Sequence, residues 1–221
     1  MSGLSKIEKL QAKIRPWLPF TTLNTVWRYI NKVDGAQILD CGCGKGEPMR
    51  FINRDKRFYT VGVDIFEPYL KTCKMLNIHN EYILCDVCKL PFKDKSFDAV
   101  ICLEVIEHLS EIEGNILIKE VERVASKQII FGTPIGDYKQ DPFDGNEFQE
   151  HKYMWSPKQM KQNGYIVRGI GLRGLGGKSG IQSPVPTIMR PLVNVIWVCA
   201  GLFTYFIPEL AGEQVCIKYL Y

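Results

Sequence analysis

The residues best suited to chemistry lie in two short segments of the chain. Glu104, Glu107 and His108 form an ExxEH motif, and His151 follows in a polar, aromatic segment. Residues three or four positions apart share a helix face, so the motif side chains would converge if a helix began here. Two carboxylates and two imidazoles can hold a divalent cation, and a histidine can instead act as a general base. The motif therefore predicts either a metal site or acid–base chemistry.

A second chemical feature is the GxGxG run at residues 42–46, which directly follows the apolar segment 37–41. That segment is typical of a buried parallel strand, and the glycines allow a tight turn that brings the backbone close to a ligand. The dinucleotide fingerprint GxGxxG would need glycine where the chain has Glu47. Asp40 and Glu47 would also repel a pyrophosphate. A ligand with a cationic amino-acid end and no phosphate, such as S-adenosylmethionine (SAM), tolerates these carboxylates.

Carboxylates at the ends of two predicted strands would complete this ligand site. The apolar run 59–63 ends at Asp64, about 20 residues after the glycine turn, where a carboxylate can hold a ribose diol. We therefore interpret Asp64 as the ribose ligand. A third predicted strand, residues 82–85, ends at Asp86, whose carboxylate suits the adenine amino group.

Four pieces of the chain, in order, resemble class I SAM-dependent methyltransferases of the type-11 kind. They are LDCGCGKG, GVDIFEPYL, CDVCKLPFKDKSFDAVICLEVIEHL and IIFGTP, which lie within residues 37–134. The resemblance implies a Rossmann-like, doubly wound α/β sheet of seven strands with an antiparallel last strand, and a cofactor lying across the strand ends. Carried over by position, it implies cofactor contacts from the following residues: Asp40, Gly42, Cys43, Gly44, Asp64, Ile65, Asp86, Val87 and Cys102.

The resemblance leaves several roles open for the ExxEH motif. Metal-dependent small-RNA 3′-terminal 2′-O-methyltransferases and ubiquinone-pathway O-methyltransferases carry a similar ExxEH, and the RNA enzymes add a downstream histidine. On that pattern Glu104, Glu107, His108 and His151 would hold a divalent metal. Many type-11 enzymes with no known metal share the Glu–His pair, which favours a metal-free site with His108, Glu104 and His151 as catalytic residues. His108 would then be a general base, an acceptor contact or a purely structural residue.

The eight cysteines raise the alternatives of zinc binding and of disulfides. The two tight pairs, Cys41 with Cys43 and Cys85 with Cys88, lie at ends of strands that the expected sheet order keeps apart. Without a second CxxC motif, we interpret the cysteines as buried free thiols rather than zinc ligands. His79, between a predicted helix and a predicted strand with no companions, is interpreted as a surface residue.

The segments around this core predict a helical cap and a set of closing elements. We interpret the chain as one domain with an N-terminal helical cap (1–34), a cofactor-binding core (35–134) and an acceptor loop, apolar segment and closing strands (135–221). The spacing of apolar residues predicts helices over 4–18, 49–54 and 114–124, with Ser156 capping a later one. Further strands are predicted at 128–131, 165–167 and 214–219.

Leu192 to Ile207 is almost entirely apolar, yet shorter than the roughly 20 residues that span a bilayer. We expect a helix that packs on the last strands or on a partner protein; the alternatives are a membrane-surface contact and a true span. The first residues carry charge throughout and no apolar signal segment, which favours a cytoplasmic protein, with peripheral membrane association as an option.

The formal net charge of +4 is spread along the chain and is weak evidence for a nucleic-acid partner. We therefore predict a SAM-dependent methyltransferase that O-methylates a small-molecule or lipid-linked acceptor. Two alternatives stay open at this point. One is a metal-assisted RNA 2′-O-methyltransferase, and the other is a non-catalytic partner subunit that keeps the cofactor fold.

Overall fold

The structure, a computed structural model, describes residues 17–32, 36–136, 140–142, 144–173 and 199–220. These residues contain a seven-stranded sheet with the strand order β3-β2-β1-β4-β5-β7-β6. Strands β1 to β5 pair in parallel, and β7 runs antiparallel to both β5 and β6. The strands are β1 Gln37–Cys41, β2 Tyr59–Asp64, β3 Glu81–Leu84, β4 Phe97–Leu103, β5 Ala125–Pro134, β6 Ile166–Ile170 and β7 Glu213–Tyr219.

The central strands read as apolar runs because helices cover both faces of the sheet. Successive side chains of a strand point to opposite faces, so Leu39 and Val100 belong to one apolar core while Ile38 and Ile101 belong to the other. Ile38 and Leu39 have no exposed surface. Burying one such side chain stabilises the folded state by about 1.5–3 kcal/mol, which favours a position for β1 in the middle of the sheet.

The helices lie on both faces of this sheet. Those with bounds inside the described residues are α1 Thr22–Ile30, α2 Glu47–Ile52, α3 Glu67–Met75, α4 Glu111–Val124 and α5 Pro157–Gln162. Val26 of α1 packs in one core, whereas Leu117 of α4 packs in the other. Ser110 and Ser156 begin α4 and α5 with capping boxes, in which the serine side chain and the third helical residue exchange hydrogen bonds with backbone amides.

The predicted strands and helices that lie within the described residues are confirmed in order and type, most of them with different ends. Strand β1 has the predicted bounds, and Ser156 caps α5 as expected. The predicted start of α4 at residue 114 is wrong, because the Ser110–Glu113 capping box begins the helix at Glu111. Strand β6 begins one residue later than predicted and continues to Ile170, paired with β7.

Two predicted helices lie at least partly outside the described residues. The amphipathic helix expected over 4–18 lies there, as does the first part of the apolar segment, residues 192–198. Residues 199–206 of that segment are helical, which agrees with the expected conformation. Within the described ranges, no helix combines the length and the apolar character needed to cross a membrane.

Candidate functional site

The glycine turn joins β1 to α2 at the edge of the sheet where the parallel strands end. The amides of Gly42 and Cys43 both donate to the Val63 carbonyl, at 2.9 and 2.8 Å, which holds the turn against the end of β2. Gly42 has a φ of +75°, and a Cβ there would lie 2.3 Å from Cγ2 of Val105. A Cβ on Gly44, by contrast, would meet no atom within 4 Å. Gly44 therefore offers its backbone to open space, where a ligand can approach closely.

Asp64, the predicted ribose ligand, ends β2 beside this turn. Its Oδ2 accepts a hydrogen bond from the Gly44 amide at 2.7 Å, and its Oδ1 accepts one from the Phe66 amide at 2.8 Å. Burial raises the pKa of the Asp64 carboxyl above its ordinary value, and the backbone hydrogen bonds oppose that shift. Each carboxylate oxygen has two lone pairs, so Asp64 can hold the turn and accept hydrogen bonds from a ligand. Its ribose contact stays a prediction.

The other predicted cofactor residues lie around the same strand ends. Ile65 is 41% exposed directly after β2. Asp86 is exposed after β3, where its Oδ1 accepts a hydrogen bond from the Cys88 amide. The side chains of Val87 and Cys102 belong to the apolar core. Ile65 and Asp86 are thus the two of these four side chains that a ligand could touch directly.

The surface position predicted for His79 is wrong. His79 is 7% exposed, and its Nε2 lies 3.4 Å from Oδ2 of Asp40, which is 3% exposed. Asp40 therefore faces the interior beneath the glycine turn, where Cys43 is also buried. The sequence did not reveal this contact because β1 and the residues around His79 are far apart along the chain and meet only in the folded sheet.

The ExxEH motif follows β4 as a 3₁₀ turn, Ile106–His108, rather than as the start of a helix. Glu107, His108 and His151 nevertheless converge, with one ligand atom from each lying within 4.8 Å of the others. Glu104, the fourth predicted ligand, is exposed and has a φ of +56°, an uncommon conformation for a residue other than glycine. The structure thus groups three of the four predicted residues, and these three could hold a metal.

His108 is fixed by a contact from the polar segment after β5. Its Nδ1 lies 3.0 Å from the carbonyl oxygen of Glu150. A carbonyl only accepts hydrogen bonds, so Nδ1 carries the proton and the lone pair of the neutral ring lies on Nε2. The His108 and His151 ring centroids are 4.9 Å apart. Glu107 is fully buried, and its Oε2 accepts a hydrogen bond from the Thr133 hydroxyl at 3.0 Å.

This segment is anchored to the motif by its backbone. The amides of Lys152 and Tyr153 both donate to the Glu107 carbonyl, at 2.8 and 3.2 Å. Trp155 is 2% exposed and packs against Gly114 of α4, where a Cβ would lie 2.6 Å from its ring. Gly114 thereby lets the indole lie close to the helix and fixes the position of the segment.

The same segment also reaches the glycine turn. Oδ2 of Asp144 pairs with Nζ of Lys45, and it accepts a hydrogen bond from the Tyr69 hydroxyl at 3.1 Å. The Lys45 and Asp144 side chains are 44% and 48% exposed. Lys45 holds the pKa of the Asp144 carboxyl below its ordinary value. We call the described residues 140–142 and 144–155 the acceptor segment, because they link the two halves of the candidate site.

Sequence reasoning missed Thr133, Lys45 and Asp144. Thr133 had a signal, because it is a polar residue near the carboxyl end of β5, at the edge where parallel sheets bind ligands. Lys45 and Asp144 had none, since an ion pair between two irregular segments leaves no pattern in the sequence.

A doubly wound sheet with this strand order, an antiparallel β7 and a glycine turn after β1 has the architecture of the class I SAM-dependent methyltransferases. Residues 39–131 match the family model described as "Methyltransferase domain". The resemblance found from the sequence is thus confirmed, and this part of the chain is a methyltransferase domain.

Curated relatives match part of the chain. An uncharacterized protein of Methanocaldococcus jannaschii is 35% identical over 97 residues, which are 44% of this chain and 39% of that protein. The human "Probable tRNA methyltransferase 9B" is 37% identical over 91 residues, which are 41% of this chain and 19% of that protein. A "Ubiquinone biosynthesis O-methyltransferase" of Rickettsia bellii is 28% identical over 134 residues, which are 59% of this chain and 55% of that protein. The matched part is thus well under two thirds of each relative's length.

Solved structures resemble this chain over nearly its whole length. A SAM-dependent methyltransferase from Archaeoglobus fulgidus has a TM-score of 0.56 at 21% identity, covering 97% of this chain and all of that one. Magnesium protoporphyrin IX methyltransferase from Synechocystis, with bound SAH, has a TM-score of 0.57 at 15% identity, covering 100% and 90%. The methyltransferase domain of bacterial CtHen1 has a TM-score of 0.55 at 21% identity, covering 90% and 97%. At these identities the likeness concerns the fold alone.

Proposed function

We propose that the chain is a SAM-dependent methyltransferase that methylates an oxygen atom of a small-molecule or lipid-linked acceptor. The observation that carries this proposal is the fixed tautomer of His108, whose Nδ1 proton is held by the Glu150 carbonyl. The lone pair on Nε2 suits the removal of a proton from an acceptor hydroxyl. His108 follows β4, which neighbours β1 in the sheet, so it lies at the same strand edge as the glycine turn.

The residues of the glycine turn fit SAM, which when bound supplies a methyl group activated by a sulfonium. Gly44 admits a ligand close to its backbone, and Asp64 offers carboxylate lone pairs suited to ribose hydroxyls. Displacement at a sulfonium needs alignment of the two partners and exclusion of water. The acceptor segment is suited to both tasks, because it is bonded to Glu107 at one end and paired with Lys45 at the other.

Exposed apolar side chains support an acceptor carried by a lipid surface. They follow one another along the helical residues 199–206 and the turn after them: Leu202, Phe203, Phe206, Ile207 and Leu210 are each at least 47% exposed. This helix lies against β6 near the strand edge of the site, since a Cβ on Gly169 would be 2.1 Å from the Thr204 carbonyl. Burial of such side chains in a membrane surface would make the protein peripheral and bring the site close to lipid.

A second candidate is a metal-assisted RNA 2′-O-methyltransferase, favoured by the grouping of Glu107, His108 and His151. Two imidazoles and a carboxylate suit a divalent cation, which when bound would lower the pKa of an acceptor hydroxyl. The relative named as a probable tRNA methyltransferase supports an RNA acceptor. The net charge of +4 is low for a protein that holds RNA by its phosphates, which favours the first proposal.

The first experiment is titration calorimetry of the purified chain with SAM and with S-adenosylhomocysteine, each with and without added Mg²⁺ or Mn²⁺. We expect micromolar binding of both ligands. An enthalpy or affinity that depends on the metal would favour the second candidate. A chain that binds neither ligand under any of these conditions would contradict both candidates and favour the non-catalytic subunit.

The acceptor is then sought with isotopically labelled SAM. The chain is incubated with lipid, RNA and small-molecule extracts in parallel, and His108→Ala serves as the matched control in each reaction. We expect label in the lipid or small-molecule fraction that requires His108. Label in RNA instead would support the second candidate, and SAM binding without labelling of any fraction would support a partner subunit.

A further inference from the structure

A cluster of thiol, imidazole and carboxylate groups lies beneath the glycine turn, outside the candidate methyl-transfer site. Cys43 belongs to the turn, Cys73 to α3, and His79 to the connection between α3 and β3. One ligand atom from each lies within 4.8 Å of the other two, and all three residues are buried. Asp40, at 3% exposure, joins them through Oδ2, which is 3.4 Å from Nε2 of His79. Three side chains of metal-binding type thus meet in the interior, and the Asp40 carboxylate lies beside one of them.

Three oxygen and nitrogen atoms of this cluster lack hydrogen-bond partners among the described residues, whereas the Cys43 thiol donates to the Gly44 carbonyl at 3.8 Å. Oδ2 of Asp40 and both ring nitrogens of His79 are buried without a hydrogen-bond partner among the described residues. The 3.4 Å contact between Asp40 and His79 brings opposite charges together when the ring is protonated, but it lacks the alignment of a hydrogen bond. Buried polar atoms in native proteins are almost always paired, so a bound ligand is the expected explanation for several orphaned atoms at one place.

The distances suit a tetrahedral ion. Zinc binds sulfur at about 2.3 Å and nitrogen or oxygen at about 2.0–2.2 Å, which separates adjacent ligand atoms of a tetrahedron by about 3.4–3.8 Å. The Cys43, Cys73 and His79 ligand atoms lie within 4.8 Å of one another, so small side-chain adjustments would bring them to these separations. Asp40 lies 3.4 Å from Nε2 of His79, where a carboxylate can orient a metal-binding imidazole.

Two glycines create the space that the cluster occupies. A Cβ on Gly46 would lie 2.6 Å from Sγ of Cys73. A Cβ on Gly62, in the middle of β2, would lie 2.5 Å from Cδ2 of His79 and 3.0 Å from Sγ of Cys43. Glycine inside a strand is unfavourable unless something must approach the backbone closely. At Gly62 the approaching groups are two members of the cluster.

We infer that Cys43, Cys73 and His79 hold a structural zinc ion that ties the glycine turn to α3 and to the start of β3, with Asp40 beside the His79 ring. Two thiolates and one imidazole form a borderline-soft ligand set of the kind that zinc prefers, and a carboxylate next to a metal-binding imidazole orients the ring. Binding replaces the two S–H bonds with zinc–sulfur bonds and releases the thiol protons to solvent, with no change of oxidation state. The ion would fix the position of Cys43, and with it the turn that approaches SAM.

The metal-free alternative is a buried thiolate–imidazolium pair. The adjacent Cys43 thiol, with help from the nearby His79 ring, lowers the pKa of Cys73 to about 6. Burial lowers the pKa of His79, but Asp40 and Cys73 outweigh it and raise the pKa to about 9. An easily deprotonated Cys73 is compatible with both states. The experiment must therefore detect the ion itself.

The test is the zinc content of the full chain, expressed in zinc-supplemented medium, freed of loosely bound metal and measured by plasma mass spectrometry. We expect one zinc per chain, and loss of it in Cys73→Ser. The matched control is Cys216→Ser, a fully buried thiol of β7 outside the cluster, which should keep the ion. Glu107→Gln should keep it too, which separates this site from the group around His108.

Cobalt(II) replacement of the ion gives a second readout that does not depend on a variant folding. Tetrahedral coordination with two thiolates predicts intense visible bands and thiolate-to-cobalt charge transfer in the wild-type chain. A chain that is purified without zinc and shows no such spectrum on cobalt titration would overturn the inference. A disulfide between Cys43 and Cys73, zinc retained by Cys73→Ser, or zinc lost from Glu107→Gln would overturn it equally.

Discussion

His108 can act as a base only while its ring keeps one tautomer and one orientation. The Glu150 carbonyl provides both, because it accepts a hydrogen bond from the protonated Nδ1. We expect His108→Ala to slow methyl transfer by about 10²–10⁴-fold while leaving the dissociation constant of SAM nearly unchanged. Single-turnover kinetics with the acceptor fraction, together with calorimetry of SAM binding, measure the two effects separately.

His108→Asn is the informative control for this prediction. An asparagine amide can donate to the Glu150 carbonyl but cannot accept a proton from a hydroxyl at neutral pH. We expect this variant to be as slow as His108→Ala. Activity restored by asparagine, or equal losses of rate and SAM affinity in both variants, would mean that His108 only supports the local structure.

Asp64 holds two backbone amides, and we expect the same carboxylate to bind the ligand. It holds the Gly44 and Phe66 amides, and we expect it to accept ribose hydroxyls as well. Asp64→Ala should therefore weaken SAM binding by about tenfold to a hundredfold, since hydrogen bonds to a charged group are being lost. Calorimetry with Asp86→Ala as the comparison tests this, and unchanged affinity in Asp64→Ala would contradict the placement of the ribose.

The buried carboxyl of Asp64 also predicts a pH effect on the free protein. Its pKa is raised above the ordinary value of 3.8, chiefly by burial, so the folded state favours the protonated form. The stability that this preference contributes is fully present below the ordinary pKa and is lost as pH rises through the raised value. In denaturant titrations without SAM, the free energy of unfolding of Asp64→Asn should therefore vary less with pH in this range. If it varied with pH as in the wild type, the raised pKa of Asp64 would be contradicted.

At the scale of elements, the acceptor segment connects the ExxEH motif with the glycine turn, because it contacts Glu107 and Lys45. Its exposed Asp144–Lys45 pair links it to the glycine turn. We expect Asp144→Asn to speed the release of S-adenosylhomocysteine by less than about tenfold, because exposed ion pairs are weak. Stopped-flow displacement measures this rate, with Asp141→Asn as the control from the same segment.

The dependence of this release rate on pH and salt shows whether the Lys45–Asp144 ion pair causes the difference between wild type and Asp144→Asn. Lys45 lowers the pKa of Asp144, so the contact persists above the carboxyl's ordinary pKa and is lost as pH falls through the lowered value. The difference between wild type and Asp144→Asn should shrink at low pH and at high salt. A difference that is independent of both would exclude the ion pair as the cause.

The predictable elements were those whose signals are local. Strand β1 is a continuous apolar run because both of its faces are covered, and its bounds followed from five residues. The start of α4 was missed although Ser110 and Glu113 carry a capping-box pattern, since the apolar periodicity begins later. The 3₁₀ turn Ile106–His108 was missed because the ExxEH spacing suits an α-helix equally well.

At the scale of the whole molecule, the parallel topology made the main site predictable. Strand ends that are distant in sequence must meet at one edge, so Asp64 and His108 could be assigned to the same region from their place after β2 and β4. The cluster of Asp40, Cys43, Cys73 and His79 could not, because its members come from a strand, a turn, a helix and a connection. Cysteine spacing drew attention to Cys85 and Cys88 instead, which are not in a cluster of metal-binding type among the described residues.

The exposed apolar residues of 199–210 concern the whole molecule, because in the proposed membrane contact they would determine which surface faces the lipid. If they contact lipid, replacing Phe203 and Phe206 together with serine should reduce co-sedimentation with phospholipid vesicles by about tenfold or more, since two large apolar side chains no longer leave water. Phe203 and Phe206 are 69% and 67% exposed, so their replacement should leave the fold intact.

The matched control replaces Met75 and Ile112 with serine, because these side chains are 83% and 76% exposed on α3 and α4. Equal losses in both double variants would mean that vesicle binding follows general surface hydrophobicity rather than a defined membrane face. A wild-type chain that does not sediment with vesicles, yet labels a water-soluble acceptor in a His108-dependent reaction, would contradict the lipid contact. The O-methyltransferase assignment would then stand without it, because the tautomer of His108 does not depend on how the acceptor is delivered.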